Sequence, residues 1–519
     1  MEFRNNIISC APHTKFDYTK GVGSILYEKM HEAQSAIAQV DDRTGEVDTY
    51  RTLLERCIRT AKAMRSKNVS AGDIVVVHSH NHKNAIVPVI ASYFLGAIPA
   101  VIDYSLPLSS TKQLLKKIPP SITFTNSQGI KKISAATHQL GMNSAIIDFG
   151  KLDELIAKFT ANDGFAPITI ENPDETAAIF FTSGTTGLPK KIGLSHRLLL
   201  RSVVNLQSTS VRFTTIAQNT FWISTTNMLL NAVLNGACRV LVPQIESSNL
   251  WLLIRKYEVS VLVLVPSLIP RLFEGPISSL ALLLVSGGSL TPDETMRLRA
   301  HLPDTVILPV YGQTELGGAS LSFNVINPED LKFAYQRVSS CGRPHAGYQY
   351  KVVDPDTEEV LGPNRVGEIR IKADCFSPDS CEMSEWDDGG FYKTGDLGYY
   401  DRDFCFYVTD RIKEVFKYRT TKIVPSKLEA VLKTHPAVED AVIVGLPHAY
   451  DGSLPLGLVV RRNGFGDVSD GDIVEYYNAR VADGERLRGG LRFVEQIRTT
   501  SLGKVKRMEM RQMVLRSRL

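Results

Sequence analysis

The chain has 519 residues, 43% hydrophobic and 22% charged, with 37 Gly and 25 Pro. At roughly 150 residues per domain that length makes about three or four structural units, and the near-average composition excludes disordered, collagenous and coiled-coil chains. A net charge of +4 is too weak a field to imply a nucleic-acid partner. The positive excess is unevenly placed: from Arg498 to Leu519, seven basic residues (Arg498, Lys504, Lys506, Arg507, Arg511, Arg516, Arg518) face one acid, Glu509. By charge alone this is a solvated terminal helix. The seven cysteines (Cys10, Cys57, Cys238, Cys341, Cys375, Cys381, Cys405) are scattered without a Cys-x-x-Cys pair, so neither a zinc ribbon nor a disulfide framework is expected. The start, Met1-Glu2-Phe3-Arg4-Asn5-Asn6, is too polar for a signal peptide, and no apolar run approaches the roughly 18 residues of a membrane span. An intracellular protein with no integral membrane segment is expected, in which the sequon Asn68-Val69-Ser70 carries no sugar.

In chain order, residues 74–77 form a β-branched run, 85–95 a helical stretch and 97–102 a second strand. Val240-Leu241-Val242, Val261-Leu262-Val263-Leu264-Val265 and Leu282-Leu283-Leu284-Val285 continue the pattern. Continuous apolar runs separated by amphipathic segments predict strands buried on both faces of a largely parallel sheet, covered by helices. From about Gly342 the texture changes to short strands at 350–353, 367–371 and 406–408 with frequent turns, which predicts a small, mostly antiparallel β unit. After Asp410 the α/β alternation resumes, with helices at 427–435 and 472–481 and strands at 441–444 and 457–460.

Two segments carry chemistry-bearing side chains at short spacing. In Ala178-Ile179-Phe180-Phe181-Thr182-Ser183-Gly184-Thr185-Thr186-Gly187-Leu188-Pro189-Lys190-Lys191 an apolar strand runs into a turn with four hydroxyls, two glycines and a lysine. Backbone N–H groups, short hydroxyl donors and a cation suit the oxygens of a nucleotide triphosphate. This is not a Walker A loop, because Gly187 is followed by Leu-Pro-Lys where that motif has Lys-Ser/Thr. The second segment, His78-Ser79-His80-Asn81-His82, spaces three imidazoles by two residues, as on one face of a metal-binding strand. It follows a buried strand, however, where an ordinary strand-to-helix turn is the simpler reading.

Thr182-Ser183-Gly184-Thr185-Thr186-Gly187-Leu188-Pro189-Lys190 resembles the signature of the AMP-forming adenylating superfamily, which includes acyl-CoA synthetases, 4-coumarate-CoA ligases and firefly luciferases. Further motifs follow in that family's order: Ser286-Gly287-Gly288-Ser289-Leu290, Tyr311-Gly312-Gln313-Thr314-Glu315 (Y-G-x-T-E), Tyr392-Lys393-Thr394-Gly395-Asp396-Leu397-Gly398, Asp410-Arg411-Ile412-Lys413 and Gly503-Lys504. Thr49-Tyr50 and Gly72-Asp73 also fit, and Phe416-Lys417-Tyr418 after the hinge is similar to the insect luciferase-like and 4-coumarate-ligase-like branch. The resemblance implies an α/β fold. Residues 1–410 would be a large AMP-binding domain of two α/β subdomains with a β-barrel-like unit at about 336–409, and residues 411–519 a smaller mobile α+β lid.

The resemblance also implies roles. Thr182, Ser183, Gly184, Thr185, Thr186, Gly187 and Lys190 would surround the β- and γ-phosphates of ATP. Thr314 would bond the α-phosphate and Glu315 would hold Mg²⁺. Gly287, Gly288 and Ser289 would form the turn beside adenine, with Tyr311 and Gly312 against the base and Tyr311 stacked on it. Asp396 would accept the ribose hydroxyls and Arg411 would donate to sugar or phosphate. Lys413 and Lys417 belong to the hinge region, and Lys504 would enter the site to bridge the carboxylate and the α-phosphate. The implied cofactors are ATP, Mg²⁺ and CoA, and the implied partner is a small carboxylic acid, fatty or aryl.

Several positions depart from the family pattern. Lys191 stands where many relatives carry glycine. In Lys417-Tyr418-Arg419-Thr420-Thr421-Lys422-Ile423-Val424-Pro425, Thr420 replaces a glycine and Lys422 a glutamine, so strain or obstruction is expected at Thr420 beside the thiol tunnel. Trp222 stands where luciferases typically have the histidine that gates the acyl pocket. The segments 227–230 and 232–234 are expected to divide between pocket and core. The final Ser517-Arg518-Leu519 is a conservative variant of the Ser-Lys-Leu peroxisomal address, which implies a peroxisomal import receptor as partner. Three activities remain open: acid–CoA ligation, a luciferase-type monooxygenation, and binding of an acyl-adenylate without turnover.

Overall fold

The computed structural model describes the chain except residues 13–15, 162, 183–189, 206–212, 218, 244, 246–248, 378–382, 500–504 and 517–519. The fold is α/β with a large N-terminal portion and a smaller C-terminal one, as the apolar runs predict. A six-stranded sheet has the spatial order Lys190–Ser195, Thr176–Thr182, Ile98–Val101, Ile74–His78, Ile122–Thr125, Ala145–Asp148. All its pairings are parallel except the first. Val75 and Val77 join one apolar core while Val76 joins another, because alternate residues of a strand face opposite sides and both sides are covered. A four-stranded sheet orders Thr214–Ala217, Cys238–Leu241, Ile37–Asp41 and Val47–Thr49. Three parallel strands, Val261–Leu264, Leu282–Val285 and Val306–Pro309, form a further layer.

The β-rich unit is antiparallel throughout, with the order Glu2–Arg4, Ile7–Ser9, Tyr348–Val353, Gly367–Ala373, Tyr392–Tyr400, Phe406–Arg411. Its first two strands come from the start of the chain, so this sheet reaches beyond the 336–409 segment in which it was expected. In the C-terminal portion, Gly452–Arg461 pairs with Val438–His448. Ala441 and Ile443 pack against Leu428, Leu432, Ile473 and Tyr477 on one face, while Val442, Val444 and Leu458 meet Met510 and Val514 on the other. Among the described residues no helix is long and apolar enough to cross a membrane. The six described cysteines are free thiols, and Cys381 lies outside the described residues.

The basic tail is not simply solvated. The helix Arg507–Arg516 buries Met510 and Val514, and the Arg507 side chain is only 13% exposed. Arg507 Nε donates to Glu414 at 3.0 Å, Nη1 to the Ile443 carbonyl at 2.8 Å, and the guanidinium pairs with Glu429. Glu429 also accepts the Ile443 N–H at 2.7 Å, so helix Pro425–Lys433, strand Val438–His448 and the last helix share one charged node. Arg507→Met should leave Glu429 buried without its counter-charge and destabilise this portion by about 3 kcal/mol. A urea unfolding midpoint reads this out, with Lys506→Met, an exposed pair partner, expected to be nearly neutral.

Candidate active site

The site is assembled at strand ends. The parallel strands Leu282–Val285 and Val306–Pro309 are neighbours, and Val310 N–H donates to the Val285 carbonyl at 2.8 Å. The glycine turn Ser286–Gly287–Gly288–Ser289 and the strand Tyr311–Gln313 therefore emerge side by side at carboxyl ends, where α/β sheets place ligands. Gly287 has φ +83°, the left-handed region that favours glycine, and Gly287, Gly288 and Ser289 are exposed. Gly312 is required for a different reason: a Cβ there would sit 1.9 Å from the Gly318 carbonyl oxygen. Thr314 and Glu315 follow in the single turn Thr314–Leu316, closed by Gly317.

At the centre lies Asp396, 3% exposed, on the strand Tyr392–Tyr400. Its Oδ2 accepts the Tyr311 hydroxyl at 2.8 Å and the Gln313 amide at 2.6 Å, and its Oδ1 meets Arg411 Nε at 2.9 Å. Asp396 and Arg411 are Cα partners across the antiparallel pair, so sheet register itself delivers the hinge arginine to the acid. Burial, and after it the Asp396 charge, pushes the Tyr311 phenol well above its ordinary range, which keeps it a donor. Gln313 further donates to the Thr394 carbonyl at 3.0 Å and accepts from the Tyr392 hydroxyl at 3.2 Å. Gln313 was absent from the residues singled out in the sequence, where it is the variable letter of Y-G-x-T-E. Its place two residues after Tyr311 on a strand, hence on the same face, is the signal that marks it.

The phosphate-loop residues Ser183, Gly184, Thr185, Thr186 and Gly187 lie outside the described residues, as does Lys504. Both ends of the loop are described: Thr182 and Lys190 are Cα partners in an antiparallel pair. The strand Lys190–Ser195 packs against the Thr314–Leu316 turn. Lys190 forms an ion pair with Glu385, a residue outside every motif. Burial raises Glu315 above the usual carboxylate range and Glu385 adds to the shift, while Lys190 and Arg411 counter it. Lys190, Glu385 and Arg411 thus all act electrostatically on Glu315. Lys413 and Lys417 are exposed and lie outside this network, in the turn after Arg411 and on the hairpin Phe416–Tyr418/Thr421–Ile423.

That hairpin corrects one expectation. The left-handed residue of its two-residue turn is Arg419, with φ +52°, and not Thr420. A side chain in this region costs about 1–2 kcal/mol. Arg419 is held there by Asp451, whose carbonyl accepts its N–H at 2.9 Å and whose carboxylate meets its Nε at 2.7 Å. Thr420 itself is exposed. Trp222 caps the helix Ile223–Asn235 and lies 5.1 Å, centroid to centroid, from Phe221. Asn227 ties that helix to the site by donating to the Gly317 carbonyl at 2.9 Å, whereas Leu229, Leu230, Ala232 and Val233 are core.

The three histidines do not converge on a metal. His82 uses Nε2 with Ser79 at 2.9 Å and accepts the Asn84 N–H on Nδ1 at 3.1 Å, His80 meets Asn126 at 2.6 Å, and His78 meets Thr125 at 3.3 Å. Burial pushes His78 down to about 4 and His82 down to about 3, so both are neutral.

A buried acid ringed by donors, exposed glycine backbone and paired Lys and Glu side chains make a set that suits a nucleotide. The family model described as AMP-binding enzyme matches residues 26–378, and the AMP-binding enzyme C-terminal domain matches residues 427–504. The chain belongs to the AMP-binding enzyme family. Among relatives, Peroxisomal OPC-8:0-CoA ligase 1 of Arabidopsis thaliana is 28% identical over 97% of this chain and 94% of the ligase. The luciferase-like enzyme from the nonluminescent Zophobas morio mealworm superposes with TM-score 0.73 at 30% identity, covering 79% of this chain and 99% of that one. ATP-bound MatB from Rhodopseudomonas palustris shares the fold at TM-score 0.85 and 21% identity, over 95% of this chain and 99% of MatB.

In this AMP-binding enzyme the donor set fits a nucleotide. Lys190 and Arg411 supply cations, Thr182 and Thr314 hydroxyls, and Glu315 a hard oxygen ligand of the kind Mg²⁺ takes. Gln313→Leu should remove one donor from the Asp396 carboxylate and misalign it, weakening nucleotide binding about 10-fold, measured by calorimetric titration with ATP. Thermal unfolding of the variant should remain near wild type because Gln313 is only partly buried.

Proposed function

We propose that this chain is an ATP-dependent carboxylic acid–CoA ligase that forms an acyl-adenylate, releases pyrophosphate, and then transfers the acyl group to the CoA thiol. The observation that carries the reading is the convergence of Tyr311, Gln313 and Arg411 on Asp396, with Lys190 and Arg411 both acting electrostatically on Glu315. Asp396 accepts ribose hydroxyls and Tyr311 and Gln313 hold its orientation. Lys190 turns from Glu385 to the β- and γ-phosphates, and Thr314 donates to the α-phosphate. Glu315 would hold Mg²⁺, which would supply positive charge against the phosphates. Lys504 bridges the acid carboxylate and the α-phosphate, where negative charge builds up in the transition state.

Residues 1–410 act as the AMP-binding domain and 411–519 as a lid that turns about Arg411-Ile412-Lys413, first presenting Lys504 and then the face bearing Lys417 for thioester formation. The acid is fatty or aryl, a reading supported by the Arabidopsis ligase. That relative's name and Ser517-Arg518-Leu519 together support import into peroxisomes. The likeness to a luciferase-like enzyme supports oxygenation of the adenylate as a second reading, tested by light emission with luciferin and ATP.

ATP–pyrophosphate exchange over a panel of fatty and aryl acids, followed by CoA addition, tests the reading, with exchange and thioester expected for the same acid. Lys504→Ala should lower pyrophosphate release by about 100-fold or more yet retain thioester formation from supplied acyl-adenylate; release near the wild-type rate refutes the role of Lys504. Deletion of residues 517–519 should leave a tagged protein in the cytosol, and its continued arrival in peroxisomes refutes the address.

A further inference from the structure

Among the described residues, the four-stranded sheet holds a buried guanidinium whose two Nη atoms have no hydrogen-bond partner. Arg239 lies on the strand Cys238–Leu241 with Thr215 as its Cα partner on one side and Gln39 on the other. Cross-strand partners project to the same face, so the three side chains form a row, 1%, 3% and 1% exposed for Thr215, Arg239 and Gln39. Thr215 Oγ1, both Nη atoms of Arg239 and Gln39 Oε1 have no hydrogen-bond partner. Ser224, Thr225 and Met228 of the helix Ile223–Asn235 line a small cavity together with Thr215 and Arg239. It has room for about one water-sized body, and Thr225 Oγ1 is likewise buried without a partner.

Neighbouring acids are committed elsewhere. Asp48, which accepts the Gln39 amide at 2.8 Å, pairs with Arg56 at 2.6 Å. Asp41 accepts the N–H groups of Arg43 and Thr44 at 3.0 and 3.2 Å. The groups that act on Arg239 electrostatically are the Tyr50 phenol and the Cys238 thiol, and burial pushes that thiol up to about 11, so it is neutral. Gln39 Oε1 is a neutral acceptor and leaves the charge uncompensated. A buried, unpaired cation is among the costliest features a core can hold. Burial pushes Arg239 down to about 10, still protonated at neutral pH.

We propose that Arg239, with the hydroxyls of Thr215 and Thr225, forms a binding site for a small monovalent anion. Two guanidinium N–H groups and two O–H groups supply donors, and the cation supplies the opposite charge. A halide ion offers the matching charge at about the size of a water molecule, whereas a carboxylate or sulfate is too large for the space. The site is separate from the Asp396 cluster and does not depend on the ligase reading.

The test uses the full chain in a sulfate buffer of fixed ionic strength, into which bromide or formate is exchanged. An anion that binds the folded state raises the unfolding midpoint by mass action. At saturating anion the wild-type midpoint should rise about 3 °C more than that of Arg239→Met, with an intermediate response for Thr225→Val. A bromide-soaked crystal should show an anomalous peak beside the Arg239 Nη atoms. A response to bromide alone assigns the site to a halide. A response of the wild type to formate as large as that to bromide overturns the halide assignment. Equal responses of wild type and Thr225→Val to both anions, or of wild type and Arg239→Met where the latter folds, overturn the proposal.

Discussion

Asp396 is a carboxylate held in a protein interior by three donors that reach it from two separate stretches of chain. Tyr311 and Gln313 arrive together because they alternate along one strand and therefore share a face, and Arg411 arrives because it is the cross-strand partner of Asp396. A slip of one residue in that pairing would carry the acid to the opposite face of the sheet. The register shift between Leu397 and Gly398 lies immediately beyond this pair, so the irregularity falls after the point at which alignment matters. The remaining chemistry follows from this node, since Arg411 also acts on Glu315, and Glu315 feels Lys190.

The Lys190–Glu385 ion pair bears on the proposed phosphate contact of Lys190. Lys190 and Glu385 are half-buried, a setting in which an ion pair contributes little, about 0–1 kcal/mol. A polyphosphate presents several charges to the same ammonium, and charge-assisted hydrogen bonds to phosphate are among the stronger polar contacts. Exchange of Glu385 for phosphate is therefore favourable. Glu385 also raises Glu315.

The strands of the N-terminal sheets were legible because burial on both faces leaves an unbroken apolar run, as at 74–77 and 282–285. The motifs likewise marked Tyr311, Glu315, Asp396 and Arg411, which the fold brings together. The N-terminal hairpin was not legible: Glu2–Arg4 and Ile7–Ser9 are three residues each, and their partner strand begins at Tyr348. No local pattern encodes a pairing at that separation. Gln313 and Glu385 escaped for another reason. Their roles are set by what faces them across space, Asp396 and Lys190, and an amide or a carboxylate at either position reads as ordinary polar surface. Arg507 was hidden in the same way, since charge counting cannot separate a solvated arginine from one whose partners, Glu414 and Glu429, lie far back along the chain. At the hairpin turn the glycine comparison pointed to Thr420, but turn geometry depends on which residue takes the first central position. That residue is Arg419.

The buried Arg507 also bears on how a lid could deliver the proposed catalytic lysine. Glu414 stands just past the hinge, in a turn whose N–H groups at 414 and 415 donate to the Arg411 carbonyl at 3.0 and 3.2 Å. Arg507 grips Glu414 with one edge of its guanidinium and Glu429 with another, which ties the helix Arg507–Arg516, the helix Pro425–Lys433 and the residues following the proposed hinge to one another. Lys504 is three residues before Arg507, and three residues of chain span at most about 11 Å. Rotation about Arg411-Ile412-Lys413 must then carry Lys504 with the body to which Arg507 is tied. On the proposed reading the positive tail would divide its labour: a sealed arginine would transmit the motion, and Lys504, a few residues earlier, would supply the charge that the motion delivers.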